Sequence, residues 1–181
     1  MARKRLGFLL FDLPGDHEVE SALSTECDTI ASILHNRTLA TRVKVIRAAS
    51  ESRLKKYPTY KYTVQFVHLA CHGGPTGIGV LGGTLKWSEV VGVVKRHLKP
   101  LATGQKRVLC LSCCYSKAGL AAFKKGAADY FSLYYHFKAD TIPFATAITT
   151  WAMFYLKKTL AKPHEGVRDA INEFHAKTFV A

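Results

Sequence analysis

The sequence predicts an α/β fold, a mainly parallel sheet of five to six strands with helices on both faces. Three observations carry that prediction. Strand-length apolar runs alternate along the chain with segments whose apolar residues recur at spacings of three and four. Two of the runs, 62–71 and 107–113, are apolar on both faces, as strands buried between two helical layers must be. Each of these two ends abruptly in reactive side chains and small or polar residues, where a strand would leave the sheet.

The elements follow in order. Residues 5–12 form a first strand, stopped by Pro14-Gly15. Asp16 is placed to cap a helix running to about His35, with Val19, Leu23, Cys27, Ile30 and Leu34 in one stripe. Residues 40–49 alternate around Val43, Val45 and Ile46 as a second strand, and 50–60 hold a short helix or loop. After the third strand (62–71), the loop 73–79 leads into a small hairpin over 80–85, turned at Gly82-Gly83. Ser88 is the expected cap of a helix with Trp87, Val91, Val94 and Leu98 on one side, ended by Pro100. A fourth strand (107–113) precedes a short helix (116–125) closed by Gly126 at its C′ position. Residues 130–137 form a fifth strand. Pro143 opens a helix with Phe144, Ile148, Trp151, Ala152 and Tyr155 inward, and a last helix follows Pro163 with Val167, Ala170, Ile171 and Phe174 in register.

Length and composition limit the function. At 181 residues, 48% of them hydrophobic, the chain suits one globular domain over 1–181. No stretch reaches the about 20 apolar residues of a membrane span. The basic start, 3–5, and the apolar run to Phe11 are too short for an export signal, and Asp12 stands where a small residue would be cleaved. Five cysteines, an odd number at irregular spacings, argue for reduced thiols and a cytoplasmic setting. A net charge of +13 permits binding to nucleic acid or an acidic protein. The cations are scattered along the chain, however, which favours a solvated basic surface over a dedicated nucleic-acid face.

The reactive strand ends are the chemistry. His72 closes the third strand and is followed by Gly73-Gly74; Cys113-Cys114 closes the fourth. If the strands are parallel neighbours, both groups leave the same edge of the sheet, where open α/β sheets bind ligands. A thiol needs a nearby base or cation to act as a nucleophile, and an imidazole supplies either. The amides of Gly73 and Cys114 are candidates for an oxyanion hole. Side-chain alternation in a strand lets only one of Cys113 and Cys114 meet His72, and the residue types alone leave the choice open. Cys71 and Cys110 fall within apolar runs and belong to the core; His68 shares the face parity of His72 and suits a buried, hydrogen-bonded role. A metal held by Cys71, His72, Cys113 and Cys114 would need adjacent ligand pairs, unlike the usual separated spacings, and no cofactor is expected.

These residues resemble a known family. His68-Leu69-Ala70-Cys71-His72-Gly73 resembles the His box of caspase-like clan CD peptidases, especially the CHAT branch, and Leu111-Ser112-Cys113-Cys114 is similar to its Leu-Ser-Ala-Cys box. The likeness spans roughly 62–174. It implies a caspase-like three-layer sandwich and a cysteine endopeptidase with His72 as catalytic histidine and Cys114 as nucleophile, leaving Cys113 a structural role. Asp140 matches a recurrent family aspartate, implying either recognition of a basic substrate residue or capping of the helix near Pro143. Protein or peptide substrates, an activating protein partner and a bacterial stress or immune setting are also implied. The step after Cys114, Tyr115-Ser116-Lys117-Ala118-Gly119, departs from the family's short Thr-Gly or Ser-Gly. An inactive interaction module on the same scaffold, binding nucleic acid or an acidic protein, is the second reading.

Overall fold

In the computed structural model the described residues are 6–14, 17–37, 41–48, 50–56, 63–157 and 179–180. They form β1 (Leu6–Leu13), α1 (His17–Arg37), β2 (Thr41–Arg47), α2 (Glu51–Lys56), β3 (Phe66–Cys71), β4 (Gly77–Val80), β5 (Gly83–Lys86), α3 (Trp87–Arg96), β6 (Val108–Ser112), α4 (Ser116–Gly126), β7 (Leu133–Phe137), α5 (Phe144–Lys157) and β8 (Phe179–Val180). The Asp16 cap and the helix after Pro163 lie outside the described residues.

Six strands make one sheet in the order β2-β1-β3-β6-β7-β8. The first five are parallel, and β8 pairs antiparallel with β7. The α/β class and the mainly parallel sheet are as the sequence predicts. Every residue of β3 and β6 is buried, which explains their unbroken apolar runs: a central parallel strand has no wet face.

Two cores sandwich the sheet. On one face Cys27, Ile30 and Leu34 of α1 and Ala147, Trp151, Phe154 and Tyr155 of α5 pack on Phe8, Leu10, Phe66, Ala70 and Cys110. On the other, α2, α3 and α4 bring Leu54, Val90, Val94 and Phe123 against Leu9, Phe11, Leu69 and Leu111. Alternate strand residues thus feed opposite cores. No helix among the described residues is long and apolar enough to cross a membrane.

Several local expectations are corrected. The third strand begins at Phe66, after a bend at Gln65. The hairpin begins earlier, at Gly77, so the loop after His72 is partly strand; its turn is Leu81-Gly82, with Gly82 at φ 91. The α3 cap is Lys86, not Ser88: the Glu89 carboxylate accepts the Lys86 amide at 2.8 Å. Gly126 is the last residue of α4, and Ala127 beyond it has φ −145, so no left-handed cap forms. A Cβ at Gly126 would stand 3.0 Å from Val91 Cγ1, so close packing on α3 accounts for this glycine. The fifth strand starts at Leu133 because residues 127–130 turn, with Tyr130 N donating to Ala127 O at 2.9 Å. Phe131 is spent on an edge-to-face contact with Phe123.

Candidate active site

His72 and Cys114 leave the carboxyl ends of β3 and β6, which are hydrogen-bonded neighbours with Ala70 opposite Ser112. Both line one cavity of about 260 Å³. The strand ends contribute Cys71, Ser112 and Cys113 as well; α1 contributes Glu26, the residues leading into α5 contribute Ile142 and Pro143, and α5 itself contributes Phe144 and Ala147.

The route of the chain sets the two cysteines apart. Cys113 continues the alternation of β6 and is buried in the core beneath α3 and α4. Cys114 falls in the turn beyond the strand and is only half-buried. Its sulfur accepts a hydrogen bond from the Ile142 amide at 3.5 Å and lies 4.0 Å from the Ile142 carbonyl. Among the described residues the hydrogen bonds of that sulfur run to Ile142, not to the His72 ring. Tyr115 follows in the left-handed region at φ 51 and caps α4, so the chain reverses sharply from strand to helix. The reversal is held by Tyr115 N donating to Asp140 O at 2.7 Å. It also points the amino end of α4, which favours negative charge, at this corner.

His72 is exposed, and its backbone is fixed by the loop beyond it. Gly79 N donates to His72 O at 2.8 Å and Gly74 N to Gly77 O at 2.7 Å, so Gly73 faces Ile78 in a bridge whose bonds do not use the Gly73 amide. Gly73 must be glycine here: a Cβ would stand 2.1 Å from Cys114 O and 3.0 Å from Cys113 Cβ. The two strand ends are therefore in backbone contact, His loop on Cys turn.

Below the cavity lies a polar group the sequence reading missed. Glu26 is 1% exposed; one carboxylate oxygen is 2.6 Å from His68 Nε2, and the other accepts the Ser112 hydroxyl at 3.0 Å. Tyr155 OH completes the chain at 3.3 Å from His68 Nδ1. His68 is thus buried and hydrogen-bonded, as expected of it. The signal for Glu26 was present: an acidic residue beside Cys27 inside the apolar stripe of α1, where a carboxylate must find partners.

The remaining expectations are placed as follows. Cys71 and Cys110 are core residues, and burial pushes the Cys71 thiol well up. The Asp140 side chain is exposed, 3.8 Å from Lys117 Nζ, and does not line the cavity. Phe144, expected inward, is instead 37% exposed at the cavity wall, because α5 begins there and its buried face starts at Ala147. No group of three or more His, Cys, Asp or Glu among the described residues is arranged to hold a metal ion.

The chain matches no family model and no curated protein. The chemistry of the site therefore rests on its own geometry.

Proposed function

We propose that the chain is a cysteine endopeptidase acting through His72 and Cys114. One observation carries the reading: a histidine and a half-buried thiol leave adjacent parallel strands and line the same cavity. The Cys114 thiolate attacks a peptide carbonyl and His72 protonates the departing amine; water then releases the acyl group. The amides of Gly73 and Cys114 receive the oxyanion. The Ile142 amide, donating to the sulfur, holds the nucleophile in place. Lys117 is the group that a basic substrate residue would displace from Asp140; Asp140→Ala should then weaken cleavage of Arg peptides relative to non-Arg peptides.

The likeness to caspase-like peptidases of the CHAT branch, carried by the His and Cys boxes, supports this reading and suggests a cytoplasmic effector awaiting a protein partner. The test is alkylation by a peptidyl chloromethyl ketone, mapped by mass spectrometry. The expected result is selective modification of Cys114 that collapses in His72→Ala. Equal, slow labelling of Cys113 and Cys114 regardless of His72 would overturn it and turn attention to an interaction module with a basic surface.

A further inference from the structure

The cavity holds two thiols that the peptidase reading leaves unused. Cys71 ends β3, and Cys113 follows β6 by one residue. The register pairs Leu69 with Leu111 and Ala70 with Ser112, so one step further sets Cys71 beside Cys113. Both belong to the same core cluster, so their side chains leave the same face of the sheet. Neighbouring strands lie about 4.8 Å apart, within the roughly 4.4–6.8 Å between Cα atoms that a disulfide spans. Both also line the cavity, which gives a small oxidant a way in.

We propose that Cys71 and Cys113 are a reversible redox pair, closed to a disulfide by a hydroperoxide entering the cavity. The Cys113 sulfur attacks the peroxide; the O–O bond breaks, Cys113 becomes a sulfenic acid, and water (or the alcohol of an organic hydroperoxide) leaves. The Cys71 sulfur then attacks the Cys113 sulfur; the S–S bond forms, the S–O bond breaks, and the Cys71 proton leaves with the hydroxyl as water. Two thiols lose two electrons and two protons, and the peroxide takes them up. Cys71, which ends β3 beside Cys113, is the resolving partner. Thiol reductants reverse the bridge by exchange. The bridge would tie together the strand ends that carry His72 and Cys114. Its chemistry does not depend on whether the site cleaves peptides.

The experiment treats the full chain with hydrogen peroxide, blocks free thiols with iodoacetamide and maps disulfides in non-reduced digests. The expected product is a Cys71–Cys113 cross-link that dithiothreitol removes, with Cys114 still alkylated. The same cross-link should form in Cys114→Ala, which would abolish any peptidase activity, so the two readings fail separately. A cross-link that includes Cys114, over-oxidation of Cys113 without a bridge, or a pair that stays reduced in the folded protein would each overturn the proposal.

Discussion

The carboxylate of Glu26 on α1 accepts the hydroxyl of Ser112 on β6 at 3.0 Å, two residues before Cys114. Its other oxygen lies 2.6 Å from His68, four residues before His72. One buried side chain therefore ties down both strands that carry the candidate dyad. Removing it leaves a buried imidazole and a buried hydroxyl without their partner, a loss that is costly in a low-dielectric interior. Glu26→Ala should lower unfolding free energy by about 3 kcal/mol; Glu26→Gln, which keeps the shape and one acceptor, should lower it less. Urea denaturation measures both. An alanine variant within about 0.5 kcal/mol of wild type would show that the network contributes nothing.

Gly73 offers a probe of the site that touches neither reactive group. Its missing Cβ is what lets the His loop meet the Cys turn, since a methyl would sit 2.1 Å from Cys114 O. That obstacle is backbone, which cannot rotate away, so Gly73→Ala must push the two strand ends apart. The expected cost is about 1–3 kcal/mol of stability, with a marked fall in the rate of Cys114 alkylation. Unchanged labelling would mean that His72 does not govern the thiol.

What could be read from the sequence, and what could not, follows from the range of each interaction. The strands ending at Cys71 and Ser112 were legible because burial on both faces forces an apolar run, and Cys27, Ile30 and Leu34 because a helix face repeats locally. The reactive ends were legible for the same reason: polar residues begin where the sheet stops. Glu26 was legible only as a carboxylate on the buried stripe of α1; its partners were not, because they lie 42 and 86 positions away and no local pattern records them. The start of β7 was misplaced because Tyr130 and Phe131 have strand-like side chains, but Tyr130 lies in a turn and Phe131, just beyond it, supplies α4 with an aromatic contact. Phe144 was misplaced because helical periodicity cannot tell the first turn of α5, open at the cavity, from its buried continuation.

His136 gives a pH dependence. Its ring is buried on β7, with Nδ1 2.8 Å from Phe137 O and 3.4 Å from the Ser116 hydroxyl. Burial pushes its pKa below the ordinary 6.5; Lys124 and Lys117 push the same way, against the Phe137 carbonyl. As pH falls through about 6.5, the unfolded chain takes up a proton that the folded chain still refuses, so stability declines from there downward. Above that pH the group contributes no slope. His136→Gln should therefore flatten the stability curve below about pH 6.5 relative to wild type. Parallel curves for the two proteins would remove His136 as the cause.

Trp87 joins the site loop to the opposite helical layer. At the start of α3 its indole donates to Gly74 O at 3.0 Å, and its amide donates to Thr76 O at 3.2 Å. The ring also presses on α4, where a Cβ at Gly119 would meet it at 2.9 Å. The loop that follows His72 is thus held from outside by one side chain. Trp87→Phe keeps much of the apolar contact and deletes the indole donor, so global stability should fall by only about 1 kcal/mol. The loop should respond more: amide hydrogen exchange over residues 74–79 should quicken while β3 and β6 stay protected. Gly119→Ala tests the same contact from the other side by crowding the ring. If neither change alters exchange in the loop, Trp87 is core packing alone, and the order of the His72 loop comes from the β4–β5 hairpin.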